Sequence, residues 1–498
     1  MIPDLTNLKR MNATSESPRP TGSQGKNGLS RPELVTLIHL ASLLVFTTWD
    51  FGGKTDFARV VISCWGSLAA VILGYACLRR WKRNDGIPSA VRWLWPLVLF
   101  NLLVIASAQN PSFTRSVIGG ADVFINYGAK HAWPSSARPV LSLRALWQFD
   151  AIFLSCFNLA VVVTRRRMLR GILLVLTVNA LALAVMGTFQ KLAHASGLYF
   201  GAVHSPNDEF FASFIYHNHW GAFAVMATAA ALGLHFHYSH NGGQKDERHS
   251  PALFGLVATL LIAASVPLST SRSCTILLLV LLPASLFHWL RLHLRRARAT
   301  GGPLLLPVSL SVGLFAIGLG AIFLLGRPVI EARLDTTRQQ VEDLRRHGDF
   351  GARQQLYSDT WRMARDKLWF GWGLGSYATV FGIYNSQYAV ERWFGQTYYA
   401  EAHCDWLQSV AEVGLTGTAL LVLMGLLPLT AAFRHRVPFT EFPRWLLSGC
   451  GLIALYAWIE FPFANPAVMI TFWLCFFTAI RYHQLTIYAG AGASTTLR

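Results

Sequence analysis

The sequence predicts an all-α polytopic membrane protein of about twelve transmembrane helices with one long, partly helical external loop. Of 498 residues, 53% are hydrophobic and only 14% charged. The apolar residues come in repeated runs long enough to cross a bilayer. These runs lack the alternation of a barrel strand, and lipid offers backbone groups no partner, so each run reads as a helix.

Residues 1–32 are polar and carry Pro18, Pro20, Gly22 and Gly25, which reads as a disordered tail and not as a signal peptide. Nine spans fill 33–326, at 33–49, 57–78, 91–108, 145–163, 168–187, 211–237, 251–269, 274–292 and 303–326. The polar stretch 327–414 is the long loop. Three spans, 415–433, 444–460 and 466–482, complete the segment 415–482, and 483–498 form a second tail.

Basic clusters set the orientation. Arg79-Arg80-Trp81-Lys82-Arg83, Arg165-Arg166-Arg167, Arg291 with Arg295, Arg296 and Arg298, and Arg434-His435-Arg436 fall in alternate connections. Placing all four in the cytoplasm puts both termini inside and the long loop outside. The net charge of +18 then reads as span-end charge facing an anionic leaflet, and nucleic acid is not an expected partner. Of seven Cys, only Cys404 lies outside the spans on the external side, so neither a disulfide framework nor a zinc site is indicated.

Ionisable residues inside a bilayer are costly, and their depth is informative. Asp150, His217, His219, Arg272 and Glu460 are expected near the outer ends of their helices, with His39 the exception. A solute or ion transporter, the competing class, would place coupling charges near the midplane of two matching halves, and no such repeat is present. The polar groups instead collect under the long loop, which implies a cavity open to the outer leaflet and to the outside.

Four local patterns carry candidate chemistry. In Ser269-Thr270-Ser271-Arg272-Ser273 an Arg stands where a helix begins, so its guanidinium, free backbone N–H groups and hydroxyls such as that of Ser271 can hold an anion such as a phosphate. The alternative is an Arg that snorkels to lipid headgroups. From Gly351 to Leu368 an amphipathic helix is expected, with Arg353, Tyr357 and Trp361 spaced four apart on one stripe and Ala352, Leu356 and Met363 on a neighbouring one. An Arg above two aromatics suits a phosphate joined to a sugar, and the alternative is an interfacial helix resting on the membrane.

Gly371-Trp372-Gly373-Leu374-Gly375 follows no strand and lacks dinucleotide-loop spacing, so it marks a tight loop that lets backbone approach a ligand or a neighbouring helix. His403 precedes Asp405, Gln408 and Glu412 on a segment running into the next span, which places it at the membrane mouth. An imidazole there can take a proton from an acceptor hydroxyl, and the alternative is a His that orders the loop. His217-Asn218-His219 is not read as a metal pair, because an i, i+2 spacing splays side chains across a helix. His235, His237, His240 and His249 are expected on a solvated cytoplasmic face.

In this order, with Ala-Glu-Val-Gly-Leu-Thr-Gly417 opening the next span, the motifs resemble the O-antigen ligase and O-antigen polymerase superfamily of bacterial envelope glycosyltransferases. The resemblance is specific from about Asn207 to Leu427. It implies a bacterial inner-membrane protein with both ends cytoplasmic and the loop periplasmic. It also implies transfer of a glycan from undecaprenyl pyrophosphate to an acceptor hydroxyl, on a lipid-A core or a growing polysaccharide, without metal or other cofactor. His403 matches the loop His taken as catalytic, and Arg272 and Arg353 match the residues thought to hold the donor pyrophosphate. Tyr357, Trp361, Ser271 and Asp405 join them as candidate substrate contacts. Cys404 departs from the family, which more often shows Asn after the His.

Overall fold

The computed structural model describes residues 30–84, 86–119, 121–126, 133–241, 251–300, 352–386, 399–434 and 436–495, with Ser309, Gly313, Ala316 and Gly320 as isolated positions. Most of the expected tail 1–32, the rest of span 303–326, loop residues 327–351 and 387–398, tail residues 496–498 and His249 lie outside them.

Thirteen helices appear among the described residues. They are α1 (Arg31–Trp49), α2 (Asp56–Trp81), α3 (Trp95–Gln109), α4 (Pro139–Val162), α5 (Arg166–Leu192), α6 (His217–Asn241), α7 (Pro251–Leu268), α8 (Arg272–Thr300), α9 (Ala352–Asp366), α10 (Tyr377–Tyr384), α11 (Asp405–Phe433), α12 (Glu441–Tyr456) and α13 (Pro466–Thr495). Among the described residues eight segments are long and apolar enough to cross a membrane, namely α1, α2, α4, α5, α7, α8, α11, and α3 taken together with the 3-10 turn Ser89–Leu94 that precedes it. The chain is therefore a mostly helical, multi-pass membrane protein. Helix α12 has only 16 residues, while α6 and α13 interrupt their apolar runs with His and, in α13, Arg481.

Helix α6 forms the centre, buried at every position from His217 to Phe236 and packed by α5, α7, α8, α12 and α13. The outer helices expose apolar side chains such as Val60, Leu68, Val71 and Tyr75 of α2, as a lipid-facing surface requires. Association between such helices rests on close packing. At Gly66 of α2 an added Cβ would stand 2.7 Å from the Cβ of Ala151 on α4.

A second, smaller core sits at one end of the helices. Leu356 and Met363 of α9, Trp372, Tyr377 and Phe381 pack with Phe113 and Ala411. Helix α9 forms over the expected stretch, with Leu356 and Met363 turned inward.

Three expectations require correction. The chain is not all helix, because β1 (Phe113–Ile118) and β2 (Ala121–Asn126) form an antiparallel hairpin turning at Gly119, whose φ is 61°. Six-residue strands at the edge of a helical protein carry too few residues to show a period against their surroundings. Asp150 lies mid-helix, since α4 begins at Pro139, before the apolar run, and its carboxylate accepts from Asn101 Nδ2 at 3.0 Å. His235 is not on a solvated face, because α6 continues to Asn241 and the buried ring pairs its Nδ1 with the Ala252 carbonyl oxygen at 2.8 Å.

Candidate active site

Two segments far apart in sequence form the site. One is the residue run entering α11, and the other is the turn after α12. Helix α11 starts at Asp405 with Cys404 as its N-cap, the Sγ accepting from Leu407 N at 3.4 Å. Asn is among the best residues at an N-cap, so Cys404 performs here the helix-capping task an Asn would. His403, just before the cap, has φ of 52°, a left-handed backbone uncommon for a non-glycine residue.

That conformation is held from both sides. Tyr357 of α9 donates its hydroxyl to the His403 carbonyl at 2.9 Å. Asp405 donates its backbone N–H to Ala457 O at 2.9 Å and accepts from Phe463 N through Oδ2 at 2.8 Å. The His403 ring meets Phe461 edge-on, with centroids 4.6 Å apart.

The turn after α12 places the buried carboxylate of Glu460 at the centre. Arg353 Nη2 donates to Glu460 Oε1 at 2.6 Å, and Asn218 Nδ2 reaches the same oxygen at 3.2 Å. His403 Nδ1 and the Tyr216 hydroxyl each stand 3.5 Å from Oε2. His403 Nδ1 is buried and has no hydrogen bond, so Glu460 is the charge it faces. Burial opposes the Arg353 charge, but the neighbouring Glu460 outweighs it and raises the guanidinium above its ordinary value.

Arg272 is the first residue of α8 and is exposed. The preceding Ser271 is buried, and its hydroxyl donates to Asn218 Oδ1 at 2.6 Å. A continuous hydrogen-bond path therefore runs from Ser271 through Asn218 to Glu460 and Arg353. Glu460 and Arg272 both act electrostatically on His217, so the cation at the start of α8 belongs to the same field.

The structure thus groups Arg353, Tyr357 and His403 directly and brings Arg272 to them through Ser271 and Asn218. Trp361 stands apart, lining a shallow apolar cleft with Trp406 and Trp458. Asp405 faces the α12–α13 turn, where its carboxylate accepts from the Phe463 backbone N–H. His217 and His219 diverge as their spacing requires, the first to Glu209 Oε2 at 3.1 Å and the second to Phe461 O at 3.3 Å.

The glycine-rich loop approaches a helix. Gly414 breaks α11 with φ of 68° and ψ of −177°. The exposed backbone groups are taken up by the loop, where Trp372 N donates to Ala411 O at 3.0 Å, Gly373 N to Glu412 O at 2.7 Å, and Leu415 N to Leu368 O at 2.8 Å. A Cβ at Gly371 or Gly414 would stand 2.3 Å from backbone atoms of Glu412 or Trp369, respectively. This docking fixes α9 and α11 together, and with them Arg353 and His403.

Sequence reasoning noted Glu460 as an outer-end charge and did not foresee that it is the hub. Asn218, between two more conspicuous histidines, carries no signal of its own in the sequence. The ion pair of Lys54 with Glu401 at 3.6 Å, two residues before His403, was also missed. Burial drives the Lys54 ammonium below its ordinary value, against the pull of Glu401.

The family model for O-antigen ligase matches residues 257–422, a stretch that contains Ser271, Arg272, Arg353, Tyr357, Trp361, His403 and Asp405. Tyr216, Asn218 and Glu460 lie outside it. No curated protein matches the chain. An O-antigen ligase match points to a glycosyltransferase-type enzyme, a glycan ligase or polymerase. Over residues 257–422, a third of its length, this multi-pass membrane protein matches the O-antigen ligase family, which supports the resemblance to the O-antigen ligase and polymerase superfamily.

Proposed function

We propose that the chain transfers a glycan from an undecaprenyl-pyrophosphate donor to an acceptor hydroxyl, on a lipid-A core or a growing polysaccharide, at the periplasmic face of the bacterial inner membrane. Residues 1–32 and 483–498 then lie in the cytoplasm and 327–414 form the periplasmic loop. One observation carries the reading. A buried carboxylate, Glu460, stands 2.6 Å from a guanidinium nitrogen and 3.5 Å from an imidazole nitrogen.

With Nδ1 facing Glu460, His403 presents the rest of a ring whose side chain is 28% exposed. Its task is to take the proton of the acceptor hydroxyl as that oxygen attacks the anomeric carbon. The bond from the anomeric carbon to the pyrophosphate oxygen breaks, and the lipid pyrophosphate leaves with its charge held by Arg272 and Arg353. Glu460 stabilises the imidazolium and keeps the Arg353 fork in place. Direct attack inverts the anomeric configuration. Tyr357 and Asp405 position the His403 segment, Ser271 orients Asn218, and Trp361 rests at the interface where acceptor sugars pass. No metal takes part in this scheme.

The test is transfer by purified protein in detergent with EDTA, an undecaprenyl-pyrophosphate oligosaccharide and separate acceptors. A single addition to lipid-A core means a ligase, and a ladder of lengthening lipid-linked chains means a polymerase. No product with any acceptor, or retention of configuration by NMR, contradicts the proposal.

A further inference from the structure

His403 relies on its backbone for its place in the site. Its Nδ1 makes no hydrogen bond, and its φ of 52° is one that a non-glycine residue seldom adopts. Tyr357, Cys404 and Asp405 hold the segment at and after His403. The residues before it have anchors of their own. Gln408 Nε2 donates to Glu401 Oε2 at 2.8 Å, and Gln408 Oε1 accepts from Ala402 N at 2.9 Å. The other oxygen of Glu401, Oε1, stands 3.6 Å from Lys54 Nζ.

Lys54 follows a turn that packs against the segment carrying Glu460. Gly52 and Gly53 of that turn have φ of 68° and 81°, and added Cβ atoms would stand 2.6 Å from Asn465 Nδ2 and 2.9 Å from Pro466 Cβ, respectively. Pro466 opens α13, directly after the turn in which Glu460 lies. On the other side of Lys54, Thr55 caps α2 by accepting from Ala58 N at 3.0 Å. The ammonium also acts electrostatically on Asp405 and His219, and His219 meets Phe461 O at 3.3 Å. One cation on a tightly held turn therefore borders both the approach to His403 and the turn of Glu460.

We propose that Lys54 is a positioning residue for His403, fixing Glu401 and through it the spacing between the imidazole and Glu460. A largely buried ion pair is a poor source of stability, because the desolvation of both charges offsets their attraction. The Lys54 and Glu401 side chains are only 21% and 22% exposed, so this pair supplies direction rather than stability. The proposal rests on the transfer reaction assigned above. It adds a residue from the α1–α2 connection, outside the matched stretch 257–422.

The experiment compares full-length wild type, Lys54→Met, Lys54→Arg, Glu401→Gln and the Lys54→Met/Glu401→Gln double variant in detergent, at equal folded concentration. Three quantities are measured: kcat and KM for glycan transfer, the melting temperature, and the rate at which diethyl pyrocarbonate modifies His403, followed by peptide mass spectrometry. Lys54→Met and Glu401→Gln should each lower kcat by ~10-fold or more, since a small misplacement of a reacting group is costly, with KM and melting temperature little changed. The double variant should lose no more than either single one, as expected of two residues acting through one contact. Lys54→Arg keeps the cation and should recover most of the rate. The modification rate of His403 should change in Lys54→Met and Glu401→Gln and not in Lys54→Arg. Wild-type kcat and modification rate in Lys54→Met, or losses that multiply in the double variant, overturn the proposal. A rise in KM alone also overturns it, because Lys54 would then be a substrate contact. Modification requires no turnover, so an altered rate at His403 in a protein whose wild type transfers no glycan would refute the proposed reaction and leave the positioning of His403 by Lys54 standing.

Discussion

Arg353 and Glu460, 107 residues apart in the chain, meet at 2.6 Å, with the guanidinium side chain 53% exposed and the carboxylate buried. The pair joins the loop helix α9 to the turn after α12, and His403 approaches the second oxygen of the same carboxylate. A cation that is both anchored and open to the outside suits an anionic substrate, because the anchor fixes its direction while one face stays available.

Glu460→Gln keeps the side-chain shape and removes the charge shared by Arg353 and His403. The turnover rate should fall by about 10²-fold, in the range of positioned acid–base effects, while the melting temperature in detergent changes little. Unaltered kinetics would reduce Glu460 to a packing role.

His403 is better replaced by Asn than by Ala, since Asn tolerates the left-handed backbone that His403 adopts. His403→Asn should insert and melt like wild type and lose transfer by about 10²–10⁴-fold. Side-by-side rate and thermal-shift measurements would show whether the ring or the backbone matters.

Gly414→Ala should destabilise the protein by about 2 kcal/mol or more, because the new Cβ meets Trp369 backbone at 2.3 Å in a conformation that disfavours side chains. The loss should appear as a lower detergent melting temperature together with reduced activity, since the contact holds α9 against α11. A variant as stable as wild type would mean that the loop docks loosely.

Lys367 gives a pH signature. Burial pushes its ammonium down to about 8, beside Ser135 Oγ at 2.6 Å. The unfolded chain then holds more protons than the folded one between about pH 8 and the ordinary lysine value. Its contribution to stability is therefore present above that ordinary value and is lost as pH falls through 8. Relative to Lys367→Met, the wild-type melting temperature should rise between pH 8 and 10.5, the ordinary value. A constant difference across that window would count against the buried ammonium.

What the sequence made legible was local. The helix carrying Arg353, the tight glycine loop and the position of His403 before a span all follow from patterns within a few residues. The hub was not legible, because nothing near Glu460 or Asn218 in the chain announces partners brought by other helices. A hydroxyl facing a ligand and one facing Asn218 also look alike in sequence, as Ser271 illustrates. Trp361 illustrates another limit. Two steps of four residues rotate by about 80° around a helix, enough to carry its ring away from the stripe begun by Arg353. The hairpin at Phe113–Asn126 was hidden by brevity.

The most direct measurement of the central claim follows glycan release from an undecaprenyl-pyrophosphate oligosaccharide in the presence of EDTA, comparing wild type, His403→Asn and Glu460→Gln at equal folded concentration. Product from wild type, with little or none from either variant, is the predicted result. Equal product from all three would show that the His403–Glu460 arrangement does not carry the reaction.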